Sequence, residues 1–164
     1  MATPPHARPP TAFDNPRTWL RVIELGRDVV SCDAAAEAKD LPLWRELKSL
    51  VLETGRRHAQ GEHCLVVAHI RGDHRLSLRT VKHVLQVSEA RLASPAMLQS
   101  LGVAPGTVHP FHPSLWVLEH LVDPEVLRLE WVTTNAGRLD AYVVFDPAIL
   151  LRAATIIIND LEQT

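Results

Sequence analysis

The eleven residues Val103–Pro113, VAPGTVHPFHP, contain three prolines and one glycine. Proline fixes its own φ and has no amide hydrogen to give, so neither a helix nor a central strand can run through this stretch. The chain is therefore cut into two structured parts joined by an irregular loop, and loops of this kind often carry sites. Ahead of it, PRTWLRVIELG from Pro16 places Trp19, Val22 and Ile23 at helical spacing and stops at Gly26, a short first helix. Asp33 caps a second helix over AAAEAKD, and Pro42 opens a third over LWRELKSL, which puts Lys48 where a helix hands over to a strand. KSLVLET and EHCLVVAHI read as two antiparallel strands around the polar loop GRRHAQG. Two more helices follow: Leu78, Val81, Val84 and Leu85 behind the cap Ser77, then SPAMLQSLG with Ser94 as cap, Pro95 first and Gly102 as stop. Beyond the loop, SLWVLEHLV, VLRLEWVTT and LDAYVVF read as strands, with NAGR turning between the last two. PAILLRAATIIINDLE opens with Pro147 and reads as a closing helix, although Ile156 to Ile158 leave a strand ending open. Helices and strands interleave without an internal repeat, so the expected class is mixed α/β.

Residues 1–16 hold four prolines in their first ten positions and few large apolar side chains, so they read as a flexible extension outside a single domain of residues 17–164. With 46% apolar and 22% charged residues, that length closes a hydrophobic core without disulfide or metal staples. The apolar stretches fall far short of the roughly 20 residues a membrane-spanning helix needs, and the N-terminus lacks the apolar centre of a signal peptide. Cys32 and Cys64 are too few and too far apart for a disulfide scaffold or a CxxC unit, which fits a cytoplasmic protein. A net charge of −2 argues against a protein that coats nucleic acid, while leaving room for one that touches only a few terminal nucleotides.

Most motifs that carry chemistry are missing. The nine histidines show no HExxH or other compact ligand pattern, and His109 and His112 stand three apart across Pro110 in the irregular loop, so no metal is expected. His83 on the helix after the hairpin reads as a solvated side chain. There is no GxSxG nucleophile, no phosphate loop and no dinucleotide fingerprint. Three features remain: Lys48, the loop GTVHPF from Gly106 to Phe111, and the turn TTNAG from Thr133 to Gly137. Each has an ordinary structural role as well, since a lysine can face a helix dipole, a glycine can make a tight turn, and NAG can connect a hairpin. Trp44, Trp116 and Trp131 read as core or core edge before they read as stacking platforms.

The order and spacing of these features carry a resemblance. From LPLWRELKSLVL through SPAMLQSLGVAPGTVHPF to EWVTTNAG, roughly residues 30 to 158, the chain resembles the YbaK family of aminoacyl-tRNA deacylases, relatives of the editing domain of bacterial prolyl-tRNA synthetases. The resemblance implies a curved, largely antiparallel or mixed sheet surrounded by helices, with a pocket between the lysine, the GxxxP loop and the NAG turn. It also implies hydrolysis of the ester at the 3′ end of a mischarged tRNA, without metal, cofactor or covalent intermediate. By position Lys48 would hold a phosphate of the terminal adenosine as a point charge. Gly106, Thr107 and Gly137 would bring backbone close to the ester, the N–H groups of Gly106 and Thr107 facing its developing oxyanion. Pro110 would stiffen the loop, His109 and Phe111 would contact the substrate, Ala136 with Gly137 would give the close backbone approach on the opposite wall, and Asn135 or Thr134 would orient the substrate's amino group. A ribose hydroxyl of the substrate would help to activate the water.

The implied substrate is a tRNA bearing a small or medium amino acid, with a synthetase or elongation factor as candidate helper and a monomer or homodimer as the acting species. One departure stands out: His112 and Pro113 follow the loop's Pro-Phe, where the family commonly has glycine. It keeps two alternatives open, a specialised enzyme acting on an aminoacyl-tRNA or related ester, and a noncatalytic module that binds aminoacyl-tRNA or a synthetase.

Overall fold

A computed structural model describes residues 20–57 and 63–164. The expected N-terminal extension and part of the GRRHAQG loop lie outside the described residues. The strands are β1 (Leu20–Glu24), β2 (Leu47–Arg57), β3 (His63–Arg71), β4 (Arg75–Leu76), β5 (Ala90–Leu92), β6 (Glu119–Val122), β7 (Val132–Asn135), β8 (Ala141–Phe145), β9 (Ala154–Ile157) and β10 (Glu162–Gln163). The helices are α1 (Cys32–Lys39), α2 (Leu78–Leu85), α3 (Pro95–Ser100), α4 (Pro113–Trp116) and α5 (Pro124–Leu127), with 3-10 turns at Leu43–Arg45 and Pro147–Arg152. The fold is mixed α/β, as expected.

Five strands form the main sheet in the order β5-β2-β3-β6-β9. β2 pairs antiparallel with β3 and β5, whereas β6 lies parallel to both β3 and β9. Alternation along β2 and β3 splits the core between the two faces of this sheet. Leu52, Val66, Ala68 and Ile70 meet Val81 and Leu85 of α2 on one face, and Val51 and Val67 meet Val103 and Leu115 on the other. Val81 and Leu85 stand four apart on one stripe of α2, and burying each contributes roughly 1.5–3 kcal/mol. A second, antiparallel sheet runs β1-β8-β7, and a single parallel bridge from Glu46 to Thr133 ties its β7 to the start of β2. Leu47, Val122, Val143 and Phe145 share a core cluster that fills the space where the two sheets meet. β4 and β10 form a separate two-stranded ladder.

The helix expected from Pro16 to Gly26 is instead strand β1 where the chain is described. Arg21, Ile23 and Leu25 alternate inward with exposed Val22 and Glu24, and the five residues Leu20–Glu24 pair with β8. A partner strand outweighs a weak helical spacing. The helix expected over Leu43–Leu50 shrinks to one 3-10 turn, because Leu47 and Lys48 already pair with Arg71 and Ile70. Lys48 therefore lies within β2 rather than at a helix end. α1 is present but capped by Ser31, whose side chain accepts the Ala34 N–H, with Asp33 inside the first turn. SLWVLEHLV and VLRLEWVTT each begin with a short helix, α4 and α5, before their strand. The C-terminal segment becomes a 3-10 turn and then β9, where Thr155, Ile156 and Ile157 join β6. β2, β3, α2 with its Ser77 cap, and α3 with its Ser94 cap stand as expected.

Candidate active site

Beyond its pairing with β5 at Leu52–Thr54, β2 has an open edge that runs back toward Glu46. A cavity of about 350 Å³ lies along that edge, bounded by Glu46–Val51, the start of α1, the Pro105–Val108 loop and the facing strands β7 and β8. Its walls are mostly aliphatic. Of the residues singled out from sequence, Lys48, Gly106, Thr134 and Asn135 line it together. Three distant parts of the chain thus meet at one cavity.

Lys48 Nζ donates to the His74 carbonyl at 2.8 Å. An ammonium carries three donors, so this bond steadies the side chain and leaves capacity for an anion. Gly106 sits at φ +82°, a left-handed conformation that side chains rarely adopt, beside Val30 and Leu139. The expected oxyanion pair is not complete: the Thr107 N–H donates to the Ala104 carbonyl at 3.0 Å and its hydroxyl to the same oxygen at 2.7 Å. Thr107 closes the turn that presents Gly106, and Gly106 is the residue of the pair that faces the cavity.

The remaining candidates stand behind the wall. Asn135 Nδ2 donates to the Val108 carbonyl at 2.7 Å, and its Oδ1 accepts the Gly137 N–H at 2.9 Å. One side chain therefore clamps the GxxxP loop to the NAG turn. Gly137, at φ +81°, makes room for His109, because a Cβ there would stand 3.1 Å from His109 Nε2. Burial, with His112 adding repulsion, lowers the His109 pKa to about 4, so the imidazole is neutral. Pro110 is buried, and Phe111 packs edge-on against Phe145 with ring centres 4.9 Å apart. Ala136 packs on the same core cluster. Gly137, His109, Pro110, Phe111 and Ala136 shape the loop and turn rather than line the cavity. His112 and Pro113 also have a local explanation: His112 Nδ1 accepts the Ser114 N–H at 3.2 Å and Pro113 opens α4. The departure after Pro-Phe builds a helix start and does not line the cavity. Trp44 and Trp131 stack on either side of the Arg45 guanidinium, at 4.4 and 4.1 Å, and His83 is exposed.

Sequence reasoning missed the cavity's polar floor. Lys39 and Glu46 form an ion pair whose side chains are 1% and 4% exposed. Thr133 Oγ1 bonds to both, 2.9 Å from Lys39 Nζ and 2.8 Å from Glu46 Oε1. The ammonium also lies 4.6 Å from the centre of the Tyr142 ring. Burial pushes the Glu46 pKa up and the Lys39 pKa down, while their mutual attraction opposes both shifts. Burial and the nearby Glu46 carboxylate raise the Cys32 thiol at the same wall. In AAAEAKD nothing distinguishes Lys39 from a solvated lysine; only the packing of α1 turns it inward. Among the described residues no three His, Cys, Asp or Glu side chains converge as metal ligands, and no helix is long and apolar enough to cross a membrane.

Residues 27–153, well over half of the chain, match the aminoacyl-tRNA editing domain. The chain belongs to that family. Solved structures agree on the fold. A protein proposed as a trans-editing enzyme for prolyl tRNA synthetase superposes with a TM-score of 0.71 at 23% identity, over 88% of this chain and 87% of that one. The hypothetical protein APE2540 gives 0.70 at 22% identity, over 85% and 90%. A scaffold used for computational epitope grafting gives 0.71 at 21% identity, over 88% and 87%. No curated protein matches the chain in sequence. In this editing domain the cavity is lined by Lys48, Gly106, Thr134 and Asn135.

Proposed function

We propose that this editing domain acts in trans, hydrolysing the ester between a small or medium amino acid and the terminal adenosine of a mischarged tRNA. The observation that carries the reading is the convergence of Lys48 and the left-handed Gly106 on one cavity within an editing-domain chain. Lys48 fixes a phosphate of the terminal adenosine, which brings the ester over the cavity. The Gly106 backbone then meets the carbonyl oxygen without a side chain in between, and its N–H stabilises the charge that develops there. Thr134 forms the far wall, and the Asn135 clamp holds the two walls at a fixed separation. A cavity of about 350 Å³ with aliphatic walls selects by size, excluding a large aminoacyl group more firmly than it rejects a smaller one. Water attacks, aided by a ribose hydroxyl of the substrate, and the partners are the tRNA 3′ end and a synthetase that delivers it.

Release of labelled amino acid from a panel of correctly and incorrectly charged tRNAs tests this. We expect release from one or a few mischarged members, unchanged by a chelator and reduced on the order of a hundredfold or more in Lys48→Ala. No release from any member would remove the editing reading in favour of a noncatalytic binding role.

A further inference from the structure

One chain of hydrogen bonds leads from the interior to the cavity wall and takes no part in the reading above. His120 Nε2 lies 3.1 Å from the Leu115 carbonyl, His120 Nδ1 lies 2.7 Å from His69 Nε2, and His69 Nδ1 lies 2.9 Å from Ser49 Oγ. The two rings are nearly parallel, 12° apart, and both are fully buried. Burial disfavours an imidazolium at either position, so each ring carries one proton.

The Leu115 carbonyl then sets every direction. A carbonyl only accepts, so the proton of His120 is on Nε2 and its Nδ1 is bare. Across the 2.7 Å contact His69 must therefore donate from Nε2, which leaves its Nδ1 bare as well. The Ser49 hydroxyl must donate to that nitrogen. Ser49 lines the cavity, and with its only proton committed inward its oxygen has lone pairs alone to offer a ligand. Lys39, Lys48 and Glu46 line the same cavity, so the surrounding charge sums to one positive and favours a neutral donor over a cation. His69 is too deeply buried to hold a second proton cheaply, which separates this arrangement from a nucleophilic serine with a histidine base.

We infer that Ser49 is a hydrogen-bond acceptor of fixed direction that orients a neutral O–H group in the cavity, with His69 and His120 as its positioning residues. The O–H comes from one of two sources, the attacking water or the hydroxyl of a short aminoacyl side chain. This inference rests on the deacylase reading of the cavity.

Imidazole nitrogen NMR on the free protein reads the proton directions independently of turnover. We expect both His69 and His120 as Nε2–H tautomers; a proton on His69 Nδ1 would overturn the inference. Turnover of Ser49→Ala and Ser49→Thr on seryl- and alanyl-charged tRNA then distinguishes the sources. If the donor is water, Ser49→Ala lowers kcat on the order of tenfold for both substrates. If the donor is the side chain, it lowers kcat/KM by a similar factor for the seryl substrate alone. In either case Ser49→Thr, which keeps a hydroxyl, restores most of the loss. Unchanged kinetics in Ser49→Ala beside an active wild type would sink this role and leave the deacylase standing. A wild type inactive on every charged tRNA would remove both.

Discussion

His109 shows how one glycine shapes its neighbour's electrostatics. Its ring fills the space that Gly137 leaves open, and burial there lowers its pKa from the ordinary 6.5 to about 4. The unfolded chain then binds more protons than the folded one between those values, so stability falls as pH drops from about 6.5 towards 4. At 1.36 kcal/mol per pKa unit the interval corresponds to on the order of 3 kcal/mol, fully present above pH 6.5 and lost by about pH 4. His69 and His120 are lowered too and add to the slope in the same direction. Urea denaturation across this range should give a shallower pH dependence for His109→Gln than for the native chain; equal slopes would contradict the assignment. The sequence marked His109 as a loop histidine of the site, but its spacing could not tell a residue that touches substrate from one that fills the space behind it.

Between β7 and β8, the NAG turn depends on backbone conformation as much as on side chains. Gly137→Ala faces two penalties, a left-handed φ of +81° and a Cβ 3.1 Å from His109 Nε2. Gly26→Ala faces only the first, at φ +73° with nothing within 4 Å of the added carbon. We expect about 1 kcal/mol of lost stability for Gly26→Ala and about 2–3 kcal/mol for Gly137→Ala. At roughly 2–4 °C per kcal/mol for a chain of this size, thermal melts resolve the difference. Equal melting temperatures would show that His109 gives way at no cost. Elements with strong local signals were readable. α2 and α3 have serine caps and stop cleanly, while β2 and β3 carry strand-forming residues on either side of a polar loop. β1 was not readable as a strand, and β9 only as the alternative ending left open at Ile156 to Ile158, because Val22–Ile23 and Ala148–Ala154 are compatible with a helix until β8 and β6 supply pairing edges.

At the scale of the molecule, Lys39 from α1, Glu46 at the head of β2 and Thr133 from β7 join three elements beneath the cavity. Removing one partner strands a buried charge, so Glu46→Gln and Lys39→Met should each cost about 3–5 kcal/mol in urea unfolding. The double variant Lys39→Met with Glu46→Leu should recover most of that, since an apolar pair of similar volume avoids desolvating both charges. Single variants costing under about 1 kcal/mol would show the pair to be hydrated. The sequence by itself determined the mixed class, the irregular loop at Val103–Pro113 and the turn at Asn135–Gly137, while the meeting of Lys48 with that loop and turn was implied only by the family resemblance. The class, the loop and the turn depend on local backbone chemistry: where proline forbids pairing, where glycine allows a left-handed turn, and where alternation buries one face. Only the tertiary structure decided the buried ion pair, the Ser49–His69–His120 chain and the use of Thr107, His109 and Asn135 as supports. The energy of a charged or polar side chain depends on what surrounds it once distant segments meet, and that environment has no counterpart in the spacing of residues along the chain.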